Sequence, residues 1–212
     1  MQESSKEITN IDPILYELFE FKPRKGDLKK VEIMKAAIVS LSTLGVEKTS
    51  FESIAKLIGT RRAHIAYHFS EKHDIYKGAI KYILATYQQV LMEQLSHAKT
   101  GIEMLERYVK AGFSWAENNP NQVSVLLLLG YFCSIDEEYL ELNHLVKQKG
   151  QERIYFILMD QLDKEISSKD ARSLSVTIQN LTSSSIQDCY TTKGLSLKDT
   201  QKNVLTLIRK II

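Results

Sequence analysis

The chain has 212 residues, 43% hydrophobic and 25% charged, with a formal net charge of +2, which is ordinary for a soluble protein that buries a core. The opening MQESSKEITN has no apolar run, so no signal peptide is expected, and the longest apolar run, Val125 to Leu129, falls far short of the ~20 residues a membrane span needs. Two cysteines, Cys133 and Cys189, exclude a disulfide framework and make a reducing cytoplasm the simplest setting.

The small net charge hides an uneven distribution. Residues 1–21 carry one Lys and five acids, whereas residues 22–81 carry 13 Lys/Arg against 6 Asp/Glu. Residues 82–212 are nearly balanced, 14 against 15. A basic segment alone fits a solvated face with no partner. Its coincidence with the motif below favours a polyanion.

In chain order, residues 1–26 form an N-terminal arm. Ile14, Leu15, Leu18 and Phe19 have helical spacing, which predicts a short amphipathic helix over Asp12 to Phe21 with Pro13 near its start. Lys22, Arg24, Lys25, Lys29 and Lys30 then surround Pro23 and Gly26. They read either as an arm that enters a minor groove or as a tail that raises solubility. A scaffold helix follows from about Leu28 to Leu44, with Met34, Ala37, Ile38 and Leu41 inward and Gly45 ending it.

The next stretch organises the rest. Phe51, Ile54, Ala55 and Ile58 fall at i, i+3, i+4 and i+7, one face of a short helix. Thr49 and Glu52 have capping-box spacing, which starts that helix at Thr49 or Ser50, and Gly59 ends it. A second short helix fits Arg62 to Phe69, with Ile65 and Phe69 inward. Two short helices joined by a tight turn with Gly make a helix-turn-helix, here at about 50–69. Its outer face offers Arg62, His64 and His68, with Arg61 before, Tyr67 at the flank and Lys72 after; no acid lies between Gly59 and Ser70. A short, donor-rich basic helix suits the major groove, where base edges present acceptors. Arg62 and His64 are expected to read base edges. Tyr67, His68, Lys72 and the Thr49 and Ser50 hydroxyls are expected to hold phosphates.

A long helix follows from about Glu71 to His97. Further helices are predicted over Ile102 to Asn118, closed by Asn118-Asn119-Pro120, and over Asn121 to Cys133, apolar on most sides and therefore expected to be buried. Ser134 and Glu137 have capping-box spacing before a helix running to about Ile166. Ser167 or Ser168 caps Lys169 to Tyr190, Gly194 breaks the chain, and Ser196 caps a last helix to Ile212. No run alternates like a strand. The fold class expected is all-α.

The order of Ile33, Met34, Ala36, Ala37, Leu41, Gly45, Thr49-Ser50, Ile54-Ala55, Gly59, Ile65, Tyr67-His68-Phe69 and Lys72 resembles the N-terminal DNA-binding domain of the TetR (tetracycline repressor-like) regulators, from Asp27 to Tyr87. Two positions depart from the pattern: Arg61 stands where the family usually has a capping Ser, and Ala66 where a Tyr is common. The resemblance implies a three-helix DNA-binding domain over 27–87 and a helical domain over 88–212 for effector binding and dimerisation. It also implies that the helix from Glu71 joins the two. Tyr108, Trp115, Tyr131 and Tyr155 become candidates for an effector pocket, which their aromatic character would suit to an apolar or aromatic ligand; each alone reads rather as core. Leu174, Ile178, Leu181 and Ser185, and Val204, Leu207, Ile208 and Ile211, follow helical spacing. The resemblance makes these last two helices the meeting face of a homodimer.

Other chemistry is weakly signalled. His64 and His68 are i, i+4, but Ile65 stands where a zincin has its Glu, and no third ligand is evident, so no metal is expected. There is no phosphate-binding Gly loop, no G-x-S-x-G and no Cys beside a His, so no catalytic residue and no cofactor are expected. Asp136, Glu137 and Glu138 sit where the macrodipole favours acids. The expectation is a cytoplasmic homodimeric repressor, nucleoid-associated when it holds a double-stranded operator. The alternative is an all-α ligand-binding or adaptor protein that has lost operator binding.

Overall fold

The computed structural model describes residues 27–160, 162 and 165–212. The sequence-predicted helix over Asp12 to Phe21 and the basic residues Lys22, Arg24 and Lys25 lie outside the described residues. Among the described residues the chain is nine α-helices with no strand. They fall into two compact units that divide between Gln89 and Val90.

The first unit begins with α1 (Asp27–Lys48). Gly45 leaves helical geometry inside it at φ 78°, a torsion that costs glycine little. Next come α2 (Phe51–Leu57), α3 (Arg62–His68) and α4 (Lys72–Ser96), whose early turns belong to this unit. The core is aliphatic: Ile33, Met34, Ala37, Ile38 and Leu41 of α1, Ile54 and Ala55 of α2, Ile65 of α3, and Ile75, Ala79, Ile80 and Ile83 of α4. At Gly78 a β-carbon would stand 2.8 Å from Met34 Sδ, so a bare backbone there lets α4 approach α1.

A polar seam crosses this core. Ser40 Oγ lies 3.0 Å from Thr49 Oγ1 and 3.1 Å from Ser53 Oγ. Thr49 Oγ1 donates to the Gly45 carbonyl at 2.7 Å. Tyr76 Oη lies 3.2 Å from the carbonyls of both Val46 and Thr49, and burial pushes its pKa up to about 12. These bonds satisfy the carbonyls that the break at Gly45 leaves outside the helix ladder.

The second unit comprises α5 (Gly101–Asn118), α6 (Pro120–Ile135), α7 (Glu137–Asp160), α8 (Ser168–Thr191) and α9 (Leu197–Ile211). Helix α7 lies along α8, α9 packs on α8 and α5, and α6 packs on α7. Caps set several boundaries: Thr100, Ser167 and Ser196 accept from the amides of Glu103, Asp170 and Asp199. Phe132 stacks on Tyr139 at 4.9 Å between ring centroids. Two long-range bonds tie the unit: Tyr190 Oη donates to the Ala116 carbonyl at 2.6 Å, and Arg209 Nε donates to Glu106 at 2.8 Å.

Four expectations need correction here. Pro120 opens α6 as its first residue rather than closing the helix before it, as its fixed φ allows. Ser134 makes no capping box; its hydroxyl donates back to the Tyr131 carbonyl, and Asp136 accepts from the Glu138 amide instead. Helix α7 ends at Asp160, and Ile166 lies in the connection before Ser167. Helix α6 is not buried all round either: Val123, Val125, Leu129 and Phe132 face inward, while Tyr131 and Ile135 stand 58% and 63% exposed.

Candidate nucleic-acid interface

The helix-turn-helix is built from its caps. Ser50 is the N-cap of α2: its hydroxyl accepts from the Ser53 amide at 3.1 Å, and Ser53 Oγ accepts from the Ser50 amide at 2.8 Å. The capping box therefore pairs Ser50 with Ser53, not Thr49 with Glu52. Gly59 takes φ 64° after α2, and the Thr60 amide donates to the Ala55 carbonyl, which fixes the turn. Helix α3 then starts at Arg62 behind Arg61, which is extended and makes no side-chain cap.

One residue anchors α3. Ile65 is fully buried, and around it Arg61, Arg62, Ala63, His64, Ala66 and Tyr67 are exposed, Tyr67 at 84%. His64 and His68 rings lie 5.3 Å apart, and Tyr67 meets His68 edge-on at 5.1 Å. His64 Nδ1 is 2.9 Å from Thr60 Oγ1, which orients the ring. His68 is half-buried and held below the usual histidine range, chiefly by burial and then by His64, Lys30 and Lys29.

The structure treats the expected phosphate holders unequally. Thr49 is fully buried, its hydroxyl spent on Gly45 and Ser40, so it cannot meet a phosphate. Spacing could not separate it from Ser50, which is half-buried beside it. Lys72 opens α4, but its Nζ donates inward to the Val46 carbonyl at 3.3 Å and sits 5.6 Å from the Tyr76 ring centroid. Arg61, Arg62, His64 and Tyr67 stand outward on one short helix.

One residue of this face was missed. Glu52, in the first turn of α2, pairs with Arg62 at 2.6 Å between Oε1 and Nε. The Arg62 guanidinium carbon also lies 5.7 Å from the Phe51 ring centroid. Glu52's own backbone amide, then the Ser50 hydroxyl, hold its carboxyl below the usual range, and Arg62 adds to this. The stretch from Gly59 to Ser70 is free of acids, yet an acid reaches Arg62, the first residue of α3, from the preceding helix.

In the second unit the four candidate aromatics separate. Tyr108 and Trp115 are buried on one face of α5. Tyr131 is exposed, because its neighbour Phe132 takes the inward position against Tyr139; it lines no buried site. Tyr155 is half-buried, with its Oη 3.0 Å from Ser168 Oγ and Arg172 over its ring at 4.7 Å. A polar spot went unnoticed. A β-carbon at Gly150 would collide with Gln179 Nε2 and stand 3.8 Å from Tyr108 Oη. Gln179 Nε2 donates to the Lys147 carbonyl, while its Oε1 is buried with no hydrogen-bond partner among the described residues. A glycine in mid-helix was the available signal.

No group of three or more potential metal ligands occurs among the described residues. No described helix is long and apolar enough to cross a membrane.

No family model and no curated protein matches this chain. Solved structures do. A chain from Saccharomonospora viridis, described as a transcriptional regulator and solved in complex with choline, is 19% identical with a TM-score of 0.75, covering 86% of this chain and 96% of that one. A TetR transcription regulator from Haloarcula marismortui is 12% identical with a TM-score of 0.73, covering 87% and 96%. The fatty acid degradation regulator FadR from Bacillus halodurans is 17% identical with a TM-score of 0.72, covering 89% and 96%. The chain has the all-α fold of TetR-type regulators.

Proposed function

We propose that this chain is a sequence-specific DNA-binding transcriptional regulator, a ligand-responsive repressor that acts as a homodimer on a palindromic operator in the cytoplasm. The observation that carries this is helix α3: pinned by one buried residue, Ile65, and otherwise presenting Arg61, Arg62, His64 and Tyr67 outward with no acid of its own. Arg62 and His64 read bases; Arg61, Ser50, Tyr67, His68 and Lys72 hold the backbone. Residues 27–87 are the DNA-binding domain. Residues 88–212 bind the effector and dimerise, α8 and α9 meeting their two-fold mates. The half-exposed apolar residues Val176, Leu207 and Ile211 on those helices support that face. The effector is a small, largely apolar or aromatic molecule; a neighbour of the same fold was solved with choline.

A second reading keeps the fold and drops the operator: a ligand-binding or adaptor protein. It is favoured by the burial of Thr49 and the inward turn of Lys72, which remove or weaken two phosphate contacts.

The test is selection of bound fragments from the source genome with purified protein, repeated across salt concentrations, with light scattering of the same preparation. The proposal expects one enriched palindrome, an affinity that falls steeply with salt, and a dimer at micromolar concentration. No enrichment with intact folding selects the second reading. A monomer that binds with full affinity removes the homodimer.

A further inference from the structure

The Glu52–Arg62 pair is out of place on a DNA-reading face. A carboxylate 63% exposed beside the recognition helix repels phosphate, so it lowers affinity for every sequence alike. What it provides is position. Arg62 is 62% exposed on its side chain and has many rotamers to lose on contact. Here its Nε is held at 2.6 Å by Glu52, and its guanidinium lies against Phe51.

The support runs further back. Ser50 caps α2 through the Ser53 amide, and its hydroxyl also helps hold the Glu52 carboxyl below its usual range. Capping the first helix of the motif thus fixes the side chain that leads the second. With Nε engaged, the two Nη nitrogens form the outward edge, and a pair of parallel donors matches guanine O6 and N7. A displaced Arg62 would leave the carboxylate facing those same acceptors, which repel it.

We propose that Glu52 is a specificity-determining positioning residue: it holds Arg62 for a single guanine and trades sequence-independent affinity for selectivity. This rests on the operator-binding reading, and the experiment separates the two.

Wild type, E52Q, R62A and the double variant are each put through selection from a randomised duplex at matched salt, with binding to a non-specific duplex measured alongside. Circular dichroism checks folding, which an exposed Glu→Gln change should leave intact. E52Q is expected to bind the non-specific duplex several-fold more tightly, with a salt slope steeper by about one. It is also expected to lose about tenfold in preference for guanine at the one position that R62A erases, within the range of a bidentate contact. In the R62A background, E52Q should change that preference no further. R62K, which keeps the charge without the fork, should reproduce the E52Q loss at that position. An unchanged preference in E52Q, or a loss spread equally over all positions, overturns the proposal. If wild type selects no sequence at all, it is the operator-binding reading that fails.

Discussion

On the proposed reading of α3, His68 couples DNA binding to pH. Its ring is half-buried between His64 and Tyr67, and burial, then His64, Lys30 and Lys29 on α1, hold its pKa below the ordinary ~6.5. At neutral pH it is therefore uncharged. An arriving phosphate favours the charged form, so binding takes up a proton, and DNA affinity should rise as pH falls from ~6.5 downward. Fold stability moves the other way. A depressed native pKa contributes stability above the unfolded value, and that contribution is lost as pH falls through the native one. Anisotropy titrations at fixed salt, at about pH 7.5 and about pH 6, should show tighter binding at the lower pH, and H68Q should flatten the difference. An undiminished pH dependence in H68Q would assign the proton to another group. At this scale the sequence was an incomplete guide. It identified the exposed Arg62, His64 and Tyr67 from their offsets around Ile65, because helical periodicity fixes which side faces in. It could not choose between Thr49 and Ser50 as cap, since adjacent hydroxyls differ only in the backbone torsions each adopts.

Among the elements, α2 and α3 differ most in how they begin. Helix α2 has a reciprocal cap from Ser50 and Ser53; α3 starts behind Arg61 with no side-chain cap. Seven-residue helices are too short to be stable alone, so these terminal bonds and the single anchor Ile65 matter more than propensity. Replacing Ser50 by Ala should cost about 1 kcal/mol in urea unfolding. Replacing Arg61 by Ser should stabilise by roughly 0.5–1 kcal/mol while lowering DNA affinity and the salt slope by about one, as a cation leaves the face. If R61S gains stability with no loss of DNA affinity, Arg61 is not a phosphate contact. A boundary was legible where a single hydroxyl stood at it, as at Ser196, and only to within one residue at Ser167, beside which Ser168 read equally well. It was not legible at Ser134, where the hydroxyl bonds back within its own helix, a competing use that spacing does not reveal.

For the molecule as a whole, the all-α class was readable because nearly every segment repeats its apolar residues at helical spacing and none alternates. What covers each face was not. Helix α6 is apolar almost throughout, yet Tyr131 and Ile135 are open, because composition says how apolar a helix is and not which neighbours reach it. The Glu52–Arg62 contact escaped for a related reason: it joins two helices across a turn, and the turn angle sets which side chains meet.

The bonds that tie the second unit also set an order in time. In the first unit the polar seam joins residues 4 to 30 positions apart, such as Thr49 with Gly45 and Tyr76 with Val46. In the second, Tyr190 reaches back 74 positions to Ala116, and Arg209 reaches 103 to Glu106. Closing longer loops costs more chain entropy before any contact repays it, so the second unit should fold more slowly. Trp115, the only tryptophan, is buried in that slower unit, whereas helical circular dichroism reports on both. After dilution from denaturant, part of the helical signal should therefore return before the Trp115 emission does. Coincident recovery would mean that the two fold as one. During synthesis, the residues that form α3 leave the ribosome long before Arg209 is made. Helix α3 would then find its place on Ile65 while the far end of the chain is still being translated.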